Sequence, residues 1–412
     1  MKKTLLTLLA CLTLTSALAQ KPRPDAFPPM DDSLAPKSLT MATTLDEMYR
    51  WDRYPTYEVY VEMMNHFVET YPDLCRLDTI GTSLRGRLIL CLAMTGTDDN
   101  DIYRPEFFYS STMHGDEITG FYFMLRLCDT LLASYGTSPQ ITSLLDRTRI
   151  YINPNANPDG TYAGGNSSVS RSMRYNANYV DLNRNYPDPF GSASLDTLQC
   201  ENKAMIAYVS QHRFELSANI HGGSEVMNYP WDSFTSRERR HEHADWWEAV
   251  CKRYVDTCRQ HSRSIFTDVN SQGYIEGGDW YVISNGRQDY MNYYQHCHEL
   301  TMEVSSDKKL ASESLQRYWN IQGDALINYI KEIHSLADTI PHDTTSSDTT
   351  HVDINNSQFS TLNSQLKVYP NPTRGEVFIS TWDGVHRIDL SDRPAGVYIL
   401  NVKGRNYKVI KL

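Results

Sequence analysis

His114-Gly115-Asp116-Glu117 sets an imidazole and a carboxylate three positions apart. A strand-like run, FFYSSTM at 107–113, leads into it, and a helix-like stretch follows. At a strand-to-helix turn both side chains can aim at one point, and open α/β sheets hold ligands beyond the carboxyl ends of their strands. A second imidazole, His221, ends the run SANIH and precedes two glycines that permit a sharp, closely approached backbone. Two imidazoles and one carboxylate with an open fourth position form a zinc site of the catalytic type. An H-x-x-E pair by itself arises by chance in many chains, so its weight depends on what accompanies it.

Two further clusters accompany it. NPNANPDG at 153–160 is followed by Arg174 and by DLNRNYPD at 181–188. An arginine beside an asparagine suits a bidentate grip on a carboxylate, although an Asp–Arg pair in an ordinary loop would use the same residues. DWYVISNGRQDY at 279–290 then leads to HCHELTMEVSS at 296–306. There Glu303 lies in a strand-like run between Met302 and Val304, where a carboxylate needs a partner or a metal. Glu299 is its rival, and both are odd-numbered, so strand parity does not separate them.

The elements that position these clusters alternate. LILCLAM (88–94), FFYSSTM (107–113), RIYIN (149–153), SANIH (217–221) and ELTMEV (299–304) read as strands. Helical stretches are expected at about 117–134, 199–212, 239–260 and 312–334. The interleaving predicts an α/β domain over 42–335, with a mixed central sheet covered by helices on both faces. Residues 336–365 are Thr/Ser/Asp-rich and read as a linker. Residues 366–412, with alternating strands and Pro/Gly turns, predict a small C-terminal all-β module.

Composition narrows the function classes. Hydrophobic residues make up 40% and charged residues 22%, which supports a large core. Lys+Arg is 39 and Asp+Glu 50, a net charge of −11, against the positive field that nucleic-acid binding needs. Residues 1–19 read as a cleaved signal peptide: Lys2 and Lys3, an apolar run, then Ala17-Leu18-Ala19. A lipoprotein signal around Cys11 is the weaker alternative. Cleavage would leave 37 − 50 = −13. A Pro-rich exposed leader is expected over 20–41, and no later stretch is apolar enough for a transmembrane span. These features predict a secreted or surface-attached protein. The seven cysteines past residue 19 show no CxxC spacing, and an odd count leaves at least one thiol free or paired between chains.

Taken in order, the clusters resemble the zinc carboxypeptidases of the M14 family over about residues 45–335, and most closely the branch of carboxypeptidases D, E, M and N. The resemblance is carried by HGDE (114–117), NPDG (157–160), Arg174, DLNRN (181–185), the HGG beginning at His221, NYPWD (228–232), Trp280-Tyr281, Gln288-Asp289-Tyr290 and LTMEVS (300–305). It implies one zinc ion held by His114, Glu117 and His221, with Glu303 as general base. It implies that Arg174 polarises the scissile carbonyl, that Asn183 and Arg184 grip the terminal carboxylate, and that Tyr281 closes over the bound chain end. Asp232, eleven positions after His221, falls where the resemblance places an acid in the pocket for the terminal side chain, with Gln288 at a second pocket position. The implied function is hydrolysis of the C-terminal peptide bond of peptides or proteins, with a preference for C-terminal Lys or Arg. The alternatives are peptidoglycan-peptide trimming, broad-specificity cleavage, an inactive peptide-binding relative, and amidohydrolysis of acylated amino acids.

Two departures from that branch stand out. A linker begins at 336 where the branch carries a transthyretin-like β domain, and Arg287 replaces the methionine common before the QDY element, a change expected at the pocket rim. The C-terminal segment resembles a type IX secretion sorting domain, through VYPNPTRG (368–375), LSDRPAGVYILNV (390–402) and KVIKL (408–412). That resemblance implies a secretion machinery as a partner. A small carbohydrate-binding or packing module is the competing interpretation.

Overall fold

The computed structural model describes residues 38–97, 103–191 and 197–339, with side chains to 336, and the backbone of short strands beyond 350. The expected signal peptide and nearly all of the expected leader lie outside the described residues.

The chain opens with β1 (Met41–Ala42), α1 (Leu45–Met48), β2 (Tyr54–Pro55) and α2 (Tyr57–Thr70). The Thr56 hydroxyl caps α2 by accepting from the Val59 amide. Then come β3 (Cys75–Thr82), β4 (Leu88–Met94), β5 (Glu106–Ser111), α3 (Thr119–Ser134), α4 (Pro139–Arg147), β6 (Arg149–Asn153) and the single turn α5 (Pro158–Thr161). Ser138 caps α4, and Pro139 occupies the first turn, where its missing N–H costs nothing. The chain continues with α6 (Cys200–Val209), β7 (Phe214–His221), β8 (Ser224–Tyr229), α7 (Ala244–His261), β9 (Tyr274–Glu276), α8 (Gly277–Trp280), α9 (Arg287–Tyr294), β10 (His298–Ser305) and α10 (Ser312–Thr339).

Eight strands form one mixed sheet in the order β3-β4-β6-β5-β7-β10-β8-β9. Its centre, β6-β5-β7-β10, is parallel throughout. The flanks are antiparallel at β3-β4, β4-β6 and β10-β8. From β5 the chain moves to β6 on one side and then to β7 on the other, which makes the carboxyl end of β5 a topological switch point.

Both faces of the sheet are covered. Phe107 and Tyr109 of β5 join a core with side chains of α2, α3, α7 and α10, while Phe108 between them joins a second core with Met205 and Tyr208 of α6 and Met291 of α9. Burial on both faces explains why β4 and β5 read as nearly continuous apolar runs rather than alternating ones. The predicted α/β class and mixed sheet are thus observed. β4 and β6 fall at the predicted bounds, and β5, β7 and β10 differ from theirs by a few residues at either end. β3, β8, β9, α2, α4 and α9 were not assigned from the sequence. The helix expected from about 239 begins at Ala244, and the residues just before it, 239–243, are irregular or in a turn.

Among the described residues no helix is long and apolar enough to cross a membrane. The seven cysteines are all thiols, and six of them are buried. Past residue 350 the backbone strands pair as β11 (Thr350–Asp353) with β15 (Gly396–Val402) and β16 (Arg405–Lys411), and as β12 (Lys367–Tyr369) with β13 (Glu376–Thr381) and β14 (Gly384–Asp389). Side chains there lie outside the described residues.

Candidate metal centre and cleft

The carboxyl ends of β5, β7 and β10 supply the centre. His221 is the last residue of β7, and Glu303 is its register partner on β10. His114 follows β5, and Glu117 stands two residues ahead of α3. The turn carrying His114 is packed against the NPDG loop. A Cβ on Gly115 would lie 2.3 Å from the Gly160 carbonyl carbon, so only glycine lets the two loops meet. Asn157 holds them together, donating from Nδ2 to the Met113 carbonyl at 3.0 Å and accepting from the Gly160 amide at 2.9 Å. The NPDG motif therefore builds the ledge on which His114 sits.

His114 Nδ1 and His221 Nδ1 both lie against Glu117 Oε2, at 3.0 and 2.8 Å, and are 3.0 Å from each other. All three side chains are buried. Two imidazole nitrogens and a carboxylate oxygen facing one another in so small a space are what a cation resolves. Ligand atoms of a tetrahedral zinc stand about 3.4 Å apart, given bonds near 2.1 Å. Among the described residues this is the one cluster of metal-ligating side chains of its kind. The residues present therefore fit zinc.

The outer nitrogens are also occupied. His114 Nε2 lies 3.0 Å from Asp181 Oδ1, and His221 Nε2 lies 2.7 Å from the Asn219 side-chain amide. Asp181, an acceptor, holds the proton on His114 Nε2 and so leaves His114 Nδ1 free for a metal. Asp181 is the functional residue that the sequence reading passed over. It opens the DLNRN motif, and the need of a ligand histidine for an acceptor on its second nitrogen was the signal that could have found it. Burial works against its charge, but His114 and Arg174 outweigh that and hold its carboxyl far below the usual range.

Around this centre one cleft is lined by His114, Arg174, Asn183, Arg184, His221, Asp232, Tyr281 and Glu303, among others. Arg174 gives Nε and Nη2 to Asp181 Oδ2 at 3.1 and 2.9 Å, which leaves Nη1 beside Glu117 Oε1 at 3.6 Å. Asn183 accepts at Oδ1 from the Arg287 amide at 2.9 Å, which reserves its NH₂ group as a donor. Glu303 is buried, and its Oε2 has no hydrogen-bond partner. Burial and the nearby Glu117 charge push its pKa well above that of an ordinary glutamate. Tyr281 is pushed up by burial and by Glu303.

Asp232 is buried at the far wall. Gln288 donates Nε2 to its Oδ1 at 2.9 Å, and Asp289 accepts from the backbone amides of Asp232 and Ser233 at 2.8 and 2.9 Å. Burial and the Asp289 charge raise the Asp232 pKa well above its usual value. Gln288 stands behind Asp232 and is not among the residues that line the cleft.

Two expectations change. Arg287 is not at a pocket rim. It is fully buried beneath the site, with Nε and Nη2 each 3.0 Å from the carboxylate of Glu299 and its guanidinium 5.1 Å over the Phe108 ring. The same pair removes Glu299 as a rival to Glu303. Glu299 pairs with Ser217, midway along β7 and four residues before His221, and its oxygens are committed to Arg287 and the Ser217 hydroxyl.

Fold and site together define an α/β protein with a buried two-histidine, one-glutamate metal centre at the carboxyl edge of its sheet. A sequence model of the zinc carboxypeptidase family matches residues 60–324, and the chain belongs to that family. It is 35% identical over 299 residues to carboxypeptidase M of Mus musculus, covering 68% of this chain and 66% of that protein. It is 31% identical over 296 residues to carboxypeptidase D of Rattus norvegicus, covering 68% of this chain and 21% of that one. The chain thus spans less than two thirds of the length of these relatives. In fold it is similar to thrombin activatable fibrinolysis inhibitor, with TM-score 0.61 at 18% identity over 69% of this chain and 75% of that one. It is also similar to carboxypeptidase A from Helicoverpa armigera, with TM-score 0.59 at 20% identity over 70% and 75%.

Proposed function

We propose that the chain is a zinc metallocarboxypeptidase that hydrolyses the C-terminal peptide bond of peptides or proteins. The observation that carries this reading is the sharing of one cleft by the His114-Glu117-His221 centre, the buried Glu303 and the Asn183-Arg184 pair. When bound, zinc supplies Lewis acidity and brings the pKa of a water toward neutrality.

The remaining roles fall to the chain itself. Arg184 and the Asn183 amide take the substrate's terminal carboxylate. An internal peptide bond offers no such charge, and the guanidinium would stay unpaired, so the clamp selects chain ends. Glu303 accepts the proton of the attacking water as the new C–O bond forms, then delivers it to the leaving nitrogen as the C–N bond breaks. Arg174 donates to the carbonyl oxygen as its negative charge grows. Tyr281 covers the bound chain end. An inactive peptide-binding relative would be expected to lack a ligand or the base, and this chain has all of them.

Glu303 must be ionised to accept a proton. Its raised pKa therefore places the acid limb of kcat/KM above the ordinary glutamate value of 4.5, with activity lost as pH falls through it. Glu303→Gln is expected to lower kcat by about 10³-fold or more, to abolish that limb and to leave zinc content unchanged. Full activity in that variant, with Glu299→Gln inactive, would reassign the base.

For specificity we propose a preference for C-terminal Lys or Arg. The buried Asp232 carboxyl, steadied by Gln288 and close to Asp289, would regain its charge against a substrate cation. Kinetics on hippuryl dipeptides should favour Arg over Phe by kcat/KM, with Asp232→Asn narrowing the gap. A preference for Phe would remove Asp232 from this role.

We also propose, on sequence resemblance alone, that residues 1–19 direct export and that 366–412 form a sorting module for type IX secretion. Deletion of 366–412 should leave active enzyme in the periplasm, and unchanged export would refute the sorting role.

A further inference from the structure

The segment that follows Arg174 is bolted to the ledge that carries His114. The Arg174 carbonyl accepts from the Gly115 amide at 3.2 Å and from Asn157 Nδ2 at 3.4 Å. The Tyr175 carbonyl packs so closely on Gly160 that a Cβ there would lie 2.7 Å from its oxygen. The chain then makes a tight turn and returns to Asp181, whose Oδ1 is 3.0 Å from His114 Nε2.

This turn is held from within. Asn176 is fully buried and accepts at Oδ1 from the Asn178 and Val180 amides, each at 3.0 Å. Its Nδ2 donates to Gln199 Oε1 and Glu201 Oε2 at 3.0 and 3.1 Å. Next to Val180, Tyr179 takes φ +59°, a left-handed conformation that a β-carbon resists. Burial does not offset that cost, since the side chain is 75% exposed. A backbone that forces this conformation on an exposed tyrosine displays the ring to solvent.

Two more apolar side chains are exposed on the segments joined to it, Tyr175 at 38% and Leu84 at 50%. The Leu84 amide donates to Glu201 Oε1 at 3.3 Å, so Glu201 ties the Leu84 segment and the Asn176 turn to one point at the start of α6. Asn183, Arg184 and Asp232 take the terminal residue of a peptide, so its other residues leave past the metal centre and Arg174, where the turn begins.

We propose that Tyr175, Tyr179 and Leu84 form a docking surface for the part of the peptide substrate on the N-terminal side of the scissile bond, and that it selects apolar or aromatic side chains there. The surface is continuous with the cleft, because both ends of the turn, Arg174 and Asp181, belong to the site. A tyrosine ring offers a large rigid contact with little side-chain entropy to lose, and covering it removes apolar area from water. This inference rests on the carboxypeptidase reading of the preceding section.

The test uses the zinc-loaded full chain and two acetylated tetrapeptides, Leu-Phe-Ala-Arg and Ser-Ser-Ala-Arg. Wild type should cleave the first with kcat/KM about 10-fold above the second, the difference lying in KM. Tyr179→Asn and Tyr175→Ser should each bring that ratio toward one. Asparagine tolerates left-handed backbone, so Tyr179→Asn should melt no lower than wild type, and it carries the comparison alone should Tyr175→Ser not fold. The same pair ending in Phe serves if the terminal preference is not basic. A ratio near one in wild type, or a ratio kept by the folded variants, overturns this inference alone. So does sedimentation showing a wild-type dimer that Tyr179→Asn dissociates, which would give the surface to a second copy of the chain. A wild type that cleaves none of these peptides overturns the carboxypeptidase reading and this inference with it.

Discussion

The structure depends on bringing one carboxylate oxygen and two imidazole nitrogens to within 3.0 Å of each other in a buried space. Without a shared cation such an arrangement is costly, because desolvated lone pairs have nothing to donate to them. The fold maintains it by rigidity. β5, β7 and β10 are parallel neighbours, so their carboxyl ends lie side by side, and helices on both faces lock them. The Gly115–Gly160 contact and the Asn157 hydrogen bonds then hold the turn that carries His114 and Glu117, the two ligands outside a regular strand. Asp181 and Asn219 orient the rings from behind.

The same economy governs the cleft. Asp181 binds His114 with one oxygen and Arg174 with the other, so a single carboxylate sets both a metal ligand and the arginine beside it. The Arg287 amide orients Asn183, while the Arg287 side chain pairs with Glu299 beneath β10. That pair ties α9, which also carries Gln288 and Asp289, to the strand bearing Glu303. The helix beside Asp232 and the strand bearing Glu303 are thereby held in one frame, so a shift in either is felt by the other.

Much of this was legible in the sequence, and for physical reasons. Strands buried on both faces are runs such as LILCLAM, which survive as signals without context. Ligands next to strand ends and glycines stand out because their residue types and spacing serve little else. The less legible parts are set by tertiary packing. β8, SEVMNY, is polar at half its positions, and β9 is three residues long, so neither carries a strand pattern of its own. Arg287 is a polar residue that sequence reasoning puts near water, yet Glu299, twelve positions on, neutralises it within the core. Glu303 and Glu299 share a strand face, and the register shows that Glu303 lies beside His221 while Glu299 lies beside Ser217. Asp181 was visible as a motif letter, but its bond to His114 spans 67 positions and has no local signature.

The central claim is that one divalent ion joins His114, Glu117 and His221. Anomalous diffraction at the zinc edge from crystals of the zinc-loaded protein tests it most directly. The account predicts a single strong peak about 2.0–2.2 Å from His114 Nδ1, Glu117 Oε2 and His221 Nδ1. A map with no peak among these atoms, or with the ion on a different set of side chains, would contradict it.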